Sequence, residues 1–305
     1  MSLHPFIRNL LDASENMPRI PELSVEDARF SFRQRCAGLP MPSSPLSVEN
    51  ITVLGADGAK LSARCYRSLD SGIAPVLLFF HGGGFVVGDL DTHDSLCRQL
   101  CLSSACIVLA VDYRLAPEHP YPAAAQDAWA AYCWVLEGRL KGGDLSRVVL
   151  CGDSAGANLA AVTALRAREE SAIQPAAQLL IYPLVDEPYG RAGSYVEMAE
   201  GFGLTRVAMR WYWDQYLQDH IVDQYAAPLK AERLENLPAT LVITAEYDVL
   251  RDEGEDYALR LLVSGVAVKY KRYCGVNHGF LSLTSLVDVA DQAMADICNW
   301  LAQQW

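Results

Sequence analysis

Beyond residue 75 the chain alternates between short unbroken apolar runs and longer segments whose apolar positions recur with a helical period. The runs cover 76–80, 106–111, 148–151, 179–182 and 240–244. Such runs suit strands buried on both faces, as in a parallel sheet covered by helices. Helical patterning occupies 91–104, 123–138, 155–168 and 253–264 between them. Leu286, Val289, Ala293, Ile297, Trp300 and Leu301 then mark an amphipathic closing helix. Ile51-Thr52-Val53 and Leu61-Ser62-Ala63 flank Ala56-Asp57-Gly58, a hairpin signal, and a further strand is expected over 266–273. This alternation predicts an α/β fold with a right-handed, doubly wound, mostly parallel sheet flanked by helices. Residues 1–50, rich in proline, read as short helices and a linker rather than sheet.

One stretch breaks the rhythm. Residues 186–220 carry Tyr189, Tyr195, Phe202, Trp211, Tyr212, Trp213 and Tyr216. A surface helical pair with a buried aromatic stripe would account for them. The favoured expectation is a lid over the carboxyl edge of the sheet, where open α/β sheets bind ligands.

Composition narrows the function. Of 305 residues, 51% are hydrophobic and 20% charged, which excludes a disordered chain. A formal net charge of −12 repels phosphate backbones and anionic membranes, so no nucleic-acid partner is expected. No apolar run is long enough to span a membrane, and the N-terminus lacks a basic region followed by an apolar stretch. A cytoplasmic protein is therefore expected. Its nine cysteines form no C-x-x-C pair and read as reduced core thiols. Cys97, Cys101 and Cys106 lack a fourth ligand at useful spacing, so neither a metal nor a cofactor is expected.

The chemistry centres on Gly152-Asp153-Ser154-Ala155-Gly156, between an apolar strand and a helix. A sharp strand-to-helix turn strains the serine and needs small residues two before and two after it. It presents the Ser154 hydroxyl above the sheet, beside the positive end of the helix. The plainer alternative is a helix N-cap serine.

A nucleophilic serine needs a base, and the base an orienting carboxylate. In this fold class the order is serine, acid, histidine, which leaves His220 and His278. His220 ends the aromatic segment with no strand before it. His278 sits in Gly275-Val276-Asn277-His278-Gly279-Phe280, past a predicted strand, and is the expected base. The acid should follow the 240–244 strand. Asp248 is preferred to Asp252, because an aspartate before Glu253 suits a helix start. His81-Gly82-Gly83-Gly84-Phe85 follows the 76–80 strand, and its glycines can bring bare N–H groups close to an oxyanion. A phosphate loop is disfavoured: no Lys-Ser/Thr follows, and the spacing fails G-x-G-x-x-G.

The 81–85 and 152–156 segments together resemble the hormone-sensitive-lipase-like, or bacterial family IV, esterases of the α/β-hydrolase fold. Asp112-Tyr113-Arg114-Leu115-Ala116-Pro117-Glu118-His119 and Tyr121-Pro122-Ala123-Ala124 are similar to the segment after that family's third major strand. The resemblance spans about residues 50–302. It implies a triad of Ser154, Asp248 and His278, with oxyanion donors from the N–H groups of Gly83, Gly84 and Ala155. It implies a helical cap made of 1–45 and 186–220 on a catalytic domain of 46–185 and 221–305. His81 and residues 112–118 would be structural supports. Two departures stand out. Val249 replaces a proline frequent after the acid, and Ala157 replaces a glycine frequent after the elbow. Neither removes a catalytic group.

The expected function is serine carboxylesterase, hydrolysing small, neutral, short-acyl esters through an acyl-enzyme. Amide or carbamate hydrolysis, or acyl transfer, would use the same triad. A non-catalytic receptor on this scaffold is disfavoured by the intact His278. The sheet edge near 266–273 could pair with a second copy, or be guarded by Lys269, Lys271 and Arg272.

Overall fold

A computed structural model describes residues 2–69 and 72–305. Its strands are β1 (Ser47–Leu54), β2 (Lys60–Arg67), β3 (Ala74–Phe80), β4 (Ile107–Val111), β5 (Gly143–Asp153), β6 (Ala177–Ile181), β7 (Ala239–Tyr247) and β8 (Val268–Asn277). They form one sheet in the order β1-β2-β4-β3-β5-β6-β7-β8. β1 and β2 make the expected hairpin, β2 runs antiparallel to β4, and the remaining pairs are parallel.

The continuous apolar runs have the cause inferred for them. In β3, Val76, Leu78 and Phe80 face one hydrophobic core while Leu77 and Phe79 face another. Ile107, Leu109 and Val111 of β4 divide from Val108 and Ala110 in the same way. A period of two on a sheet covered on both sides makes every position apolar. The helices α4 (Ala123–Leu136), α5 (Ala155–Glu169) and α8 (Arg251–Val263) cover the first face. α1 (Pro5–Ser14), α3 (Asp94–Ser104) and α9 (Asp288–Leu301) cover the second.

Two boundaries differ from expectation. Residues 1–50 are not free of sheet, because β1 begins at Ser47. Its register runs from Ser47 opposite Arg67 to Leu54 opposite Lys60, so the hairpin extends beyond its apolar centre. The last strand runs on to Asn277 through an irregularity in which Ala245–Tyr247 oppose Tyr273–Asn277. There the Gly275 N–H leaves the ladder for the Glu246 carboxylate, at 2.7 Å.

Between β6 and β7 lie a single-turn α6 (Ser194–Glu197) and α7 (Arg206–Leu217). The aromatic stripe there is divided. Trp213 and Tyr216 are buried, and Tyr216 stacks on Phe85 at 3.8 Å between centroids. Tyr189 is largely exposed. The N-terminal α2 (Val25–Cys36) reaches the same region through Arg29, which bonds the Val86 carbonyl at 2.9 Å and the Glu118 carboxylate at 2.7 Å.

All nine cysteines are free thiols. Cys65, Cys97, Cys101, Cys106 and Cys151 are buried, as a core role requires, but Cys274 is exposed. No helix of the described residues is long and apolar enough to cross a membrane.

Candidate active site

Strand order reverses between β3 and β5: β4 lies on one side of β3, and β5 to β8 lie on the other. The connections leaving these two strands therefore run to opposite sides at their carboxyl ends, the usual ligand position in an open α/β sheet. The glycine loop follows β3 and Ser154 follows β5, with Phe80 directly opposite Gly152.

Ser154 has φ 54° and ψ −119°, in the left-handed half of the map that a side-chain-bearing residue seldom occupies. It makes no side-chain capping bond, so the N-cap explanation fails. The flanking glycines have a steric cause. A Cβ on Gly152 would lie 2.3 Å from the Gly156 backbone, and one on Gly156 would lie 1.9 Å from the Phe80 carbonyl oxygen. Ala155 opens α5, so its N–H has no intrahelical acceptor.

β7 and β8 deliver the next two residues. Tyr247 is paired with Asn277, so Asp248 and His278 leave adjacent strands together. The His278 Nδ1 lies 2.7 Å from Asp248 Oδ2. Asp248 is almost wholly buried, and its Oδ1 accepts the Leu250 N–H at 2.9 Å. One carboxylate oxygen thus fixes its own turn while the other faces the imidazole. The Ser154 hydroxyl stands outside this bonded pair among the hydrogen bonds of the described residues. Catalytic contacts in unliganded sites often tighten only on substrate binding. Backbone bonds tie the serine to the segment beneath the ring: Ser154 N–H to the Ile181 carbonyl at 2.9 Å, and Leu184 N–H to the Ser154 carbonyl at 3.2 Å. Tyr182, inside that segment, has its ring 4.7 Å from the His278 ring.

In the glycine loop the N–H groups divide by use. Gly82 donates to Asp153 Oδ1 at 2.8 Å, whereas Gly83 and Gly84 donate to no backbone acceptor among the described residues. Gly83 has φ 118° and Gly84 φ 59°. A Cβ on Gly83 would lie 2.1 Å from the Val87 carbonyl oxygen, and one on Gly84 would lie 2.3 Å from the Tyr212 ring. His81 is buried, stacks on Tyr113 at 4.3 Å, and accepts the Tyr113 hydroxyl on its carbonyl at 2.7 Å. Burial and the neighbouring His93 push the His81 imidazole down to about 4, so it is neutral at pH 7. In the 112–118 segment Arg114 grips the fully buried Asp127 carboxylate with two bonds of 2.8 Å.

Asp153 and His93 were not singled out from the sequence. Asp153 lies beside Ser154, is buried, and has its carboxylate 3.4 Å from His93 Nε2. Burial alone would raise its pKa, but His93, the Gly82 N–H and His278 together hold it below the usual carboxylate range. An acidic residue inside the elbow was the available signal; its partners are 60 and more positions away in the chain. Asp252, the rival acid, is directed elsewhere. Its Oδ2 accepts the Ser194 N–H at 2.7 Å and its Oδ1 pairs with Arg251 at 2.7 Å. His220 bonds the Leu217 carbonyl at 3.0 Å, beside the Tyr121 ring.

A hollow of about 680 Å³ lies elsewhere, lined by residues including Arg168, Asp223, Tyr225, Lys230 and Arg233. Its cations are paired: Arg168 with Glu169 and Arg233 with Glu235 within the hollow, and Lys230 with Glu187 outside it. No group of three or more His, Cys, Asp or Glu that could hold a metal occurs among the described residues.

Known proteins carry the same architecture. A family model described as the alpha/beta hydrolase fold matches residues 77–282. Esterase LipI of Mycobacterium tuberculosis is 41% identical over 305 residues, covering 96% of this chain and 92% of its own. Ethyl acetate hydrolase of Pseudomonas putida is 33% identical and covers 99% of each chain. The solved hyperthermophilic esterase of Pyrobaculum calidifontis superposes with a TM-score of 0.90 at 40% identity, covering 99% of this chain and 98% of its own. The elbow, the glycine loop and the eight-stranded sheet therefore have one explanation: the chain belongs to the hormone-sensitive-lipase-like carboxylesterases of the α/β-hydrolase fold.

Proposed function

We propose that Ser154 is the nucleophile of a serine carboxylesterase, with His278 as its general base and Asp248 as the orienting acid. The observation that carries this reading is the 2.7 Å Asp248–His278 contact on the same rim as a serine strained to φ 54°. His278 takes the hydroxyl proton as Ser154 Oγ attacks the ester carbonyl. Asp248 holds the Nδ1 tautomer and stabilises the imidazolium that forms. The N–H groups of Gly83, Gly84 and Ala155 receive the oxyanion, and preorganised donors of this kind carry much of the rate enhancement in acyl transfer. His278 then protonates the departing alcohol. Water, activated by the same imidazole, releases the acid from the acyl-enzyme. This cycle calls for no metal or cofactor.

In this reading 1–45 and 186–220 form a helical cap on a catalytic domain of 46–185 and 221–305, and the substrate is a small neutral ester with a short acyl chain. Several contacts support a confined pocket. Tyr212 packs on Gly84, Phe202 stacks on Tyr247 at 4.9 Å, and Asn277 beside the base holds the Phe202 carbonyl at 2.9 Å. Ethyl acetate hydrolase, a full-length relative, is named for a short ester. A homodimer is supported by β8 at the sheet edge, where Lys271 and Arg272 are paired within the chain to Asp296 and Glu255. A cytoplasmic location remains part of the proposal.

The test is labelling with a serine-reactive phosphonate followed by peptide mapping. Stoichiometric modification of Ser154 is expected. A protein that hydrolyses esters but carries the label on another residue would overturn the assignment, and one that binds esters without labelling would be a receptor.

A further inference from the structure

We propose that Ser194, which lies between β6 and β7 and well before Asp248 in sequence, positions the acid of the triad. This rests on the reading of Asp248 as that acid. Within the turn after Asp248, the Leu250 N–H bonds Asp248 Oδ1 at 2.9 Å and the Arg251 N–H bonds the Asp248 carbonyl at 3.2 Å, but Val249 carries no ring to lock its φ. The Val249 carbonyl is held from outside. Ser194 is fully buried, and its Oγ donates to the Val249 carbonyl at 2.7 Å. The same Oγ accepts the Asp252 N–H at 3.2 Å, and the Ser194 N–H donates to Asp252 Oδ2 at 2.7 Å. A single residue thus grips both ends of the turn that leads from the acid into α8.

The approach is tight. Gly193 has φ 59°, and a Cβ there would lie 2.2 Å from Asp252 Oδ2, so only glycine lets the cap backbone come this close. Neighbouring contacts join the same two segments. Arg251 pairs with Glu197 at 2.7 Å, and the buried Glu253 accepts the Val185 N–H at 2.8 Å and the Asp186 N–H at 3.2 Å. Residues 185–197 and 249–253 are therefore bonded to each other at several points. Between these segments and the base stands Asp248, whose two oxygens divide between the Leu250 N–H and His278. Releasing the Val249 carbonyl frees the turn to rotate, and the carboxylate that orients the imidazole rotates with it. A small misalignment of a catalytic hydrogen bond lowers turnover more than binding.

Three variants test this: Ser194→Ala removes the hydroxyl, Ser194→Cys keeps the volume with a weak donor, and Ser194→Thr keeps the hydroxyl. For Ala and Cys, kcat should fall about tenfold or more with KM within about twofold of wild type. The downfield proton resonance of the His278–Asp248 hydrogen bond should move or broaden in both. Ser194→Thr should restore both readouts toward wild type. Wild-type kcat and an unmoved resonance in either the Ala or the Cys variant, even with a lower melting temperature, would reduce Ser194 to a stability role and overturn the proposal. Asp248→Asn separates the two levels of inference. If that variant stays active, the acid assignment fails. If it is inactive while the Ser194 variants are fully active, only the positioning role fails.

Discussion

Gly82 donates its backbone N–H to the Asp153 carboxylate at 2.8 Å, so the residue beside the elbow serine also holds the root of the glycine loop. Two loops that follow different strands are thereby fixed to each other by one buried side chain. A Cβ on Gly82 would lie 2.5 Å from Asp153 Oδ2, which shows how closely loop and carboxylate approach.

Removing that carboxylate should loosen the loop. Asp153→Ala leaves the Gly82 N–H without its acceptor, a loss of about 1–3 kcal/mol for a buried group. We expect kcat to fall by about 10-fold to 100-fold, with KM less affected, because the oxyanion donors proposed at Gly83 and Gly84 would act mainly on the transition state. Asp153→Asn retains an acceptor oxygen and should lose less. Steady-state kinetics on both variants decide it, and equal losses would point instead to the charge facing His93.

Ser154→Ala should fold normally and lose turnover by about 10⁴-fold or more, since the nucleophile acts as a unit with its base. Circular dichroism checks the fold, and ester hydrolysis at high enzyme concentration checks the loss. Retained turnover would assign the nucleophile elsewhere.

Gly84→Ala meets two obstacles at once: a positive φ of 59° and a Tyr212 ring 2.3 Å from the new Cβ. Activity should drop at least as far as on loss of one oxyanion donor, about 10²-fold. Adding Tyr212→Ala should relieve the clash but not the backbone strain, so recovery should be partial. A double-mutant cycle measures the share of each. Full recovery would show that the left-handed conformation is dispensable.

In the proposed pocket Tyr212, packed on Gly84, would also bear on chain length. In a series from acetate to palmitate p-nitrophenyl esters, the wild type should favour the short members, and Tyr212→Ala should shift the optimum upward. A wild-type preference for palmitate would contradict an enclosed pocket.

Glu253 gives stability a pH dependence with a definite sign. Burial pushes its carboxyl up to about 8, despite the opposing pull of Arg191 and the two N–H groups it holds. Between its ordinary value of 4.5 and about 8 the folded chain keeps a proton that the unfolded chain has lost. Stability from this group is thus full below 4.5 and declines as pH rises through that window. His81, pushed down to about 4, contributes the opposite slope between that value and 6.5. Glu253→Gln removes only the first contribution while keeping an acceptor for Val185 and Asp186. Urea melts from pH 5 to pH 8 should therefore show the variant gaining on wild type as pH rises. A constant difference across the range would mean that the carboxyl ionises normally in the fold.

Much of this protein was legible in one dimension, and the legible parts share a cause. A strand buried on both faces must be apolar at every position, and a helix on one face must repeat its apolar residues with its own period, so 76–80 and 123–138 declared themselves. The elbow was readable because its sterics are local: Gly152 and Gly156 are demanded by atoms within a few residues or on the adjoining strand. The contact between His278 and Asp248 was legible from chain order and from the place of both residues after strands. What the sequence could not carry was pairing across distance. That Asp153 holds Gly82, that Asp252 turns to Ser194 rather than to the imidazole, and that Gly84 is pressed by Tyr212 depend on strand register and on which way an insertion folds back. Local chemistry is written in neighbouring residues. The orientation of a buried carboxylate is decided by whichever distant N–H groups the packed sheet brings to it, and that choice exists only after folding.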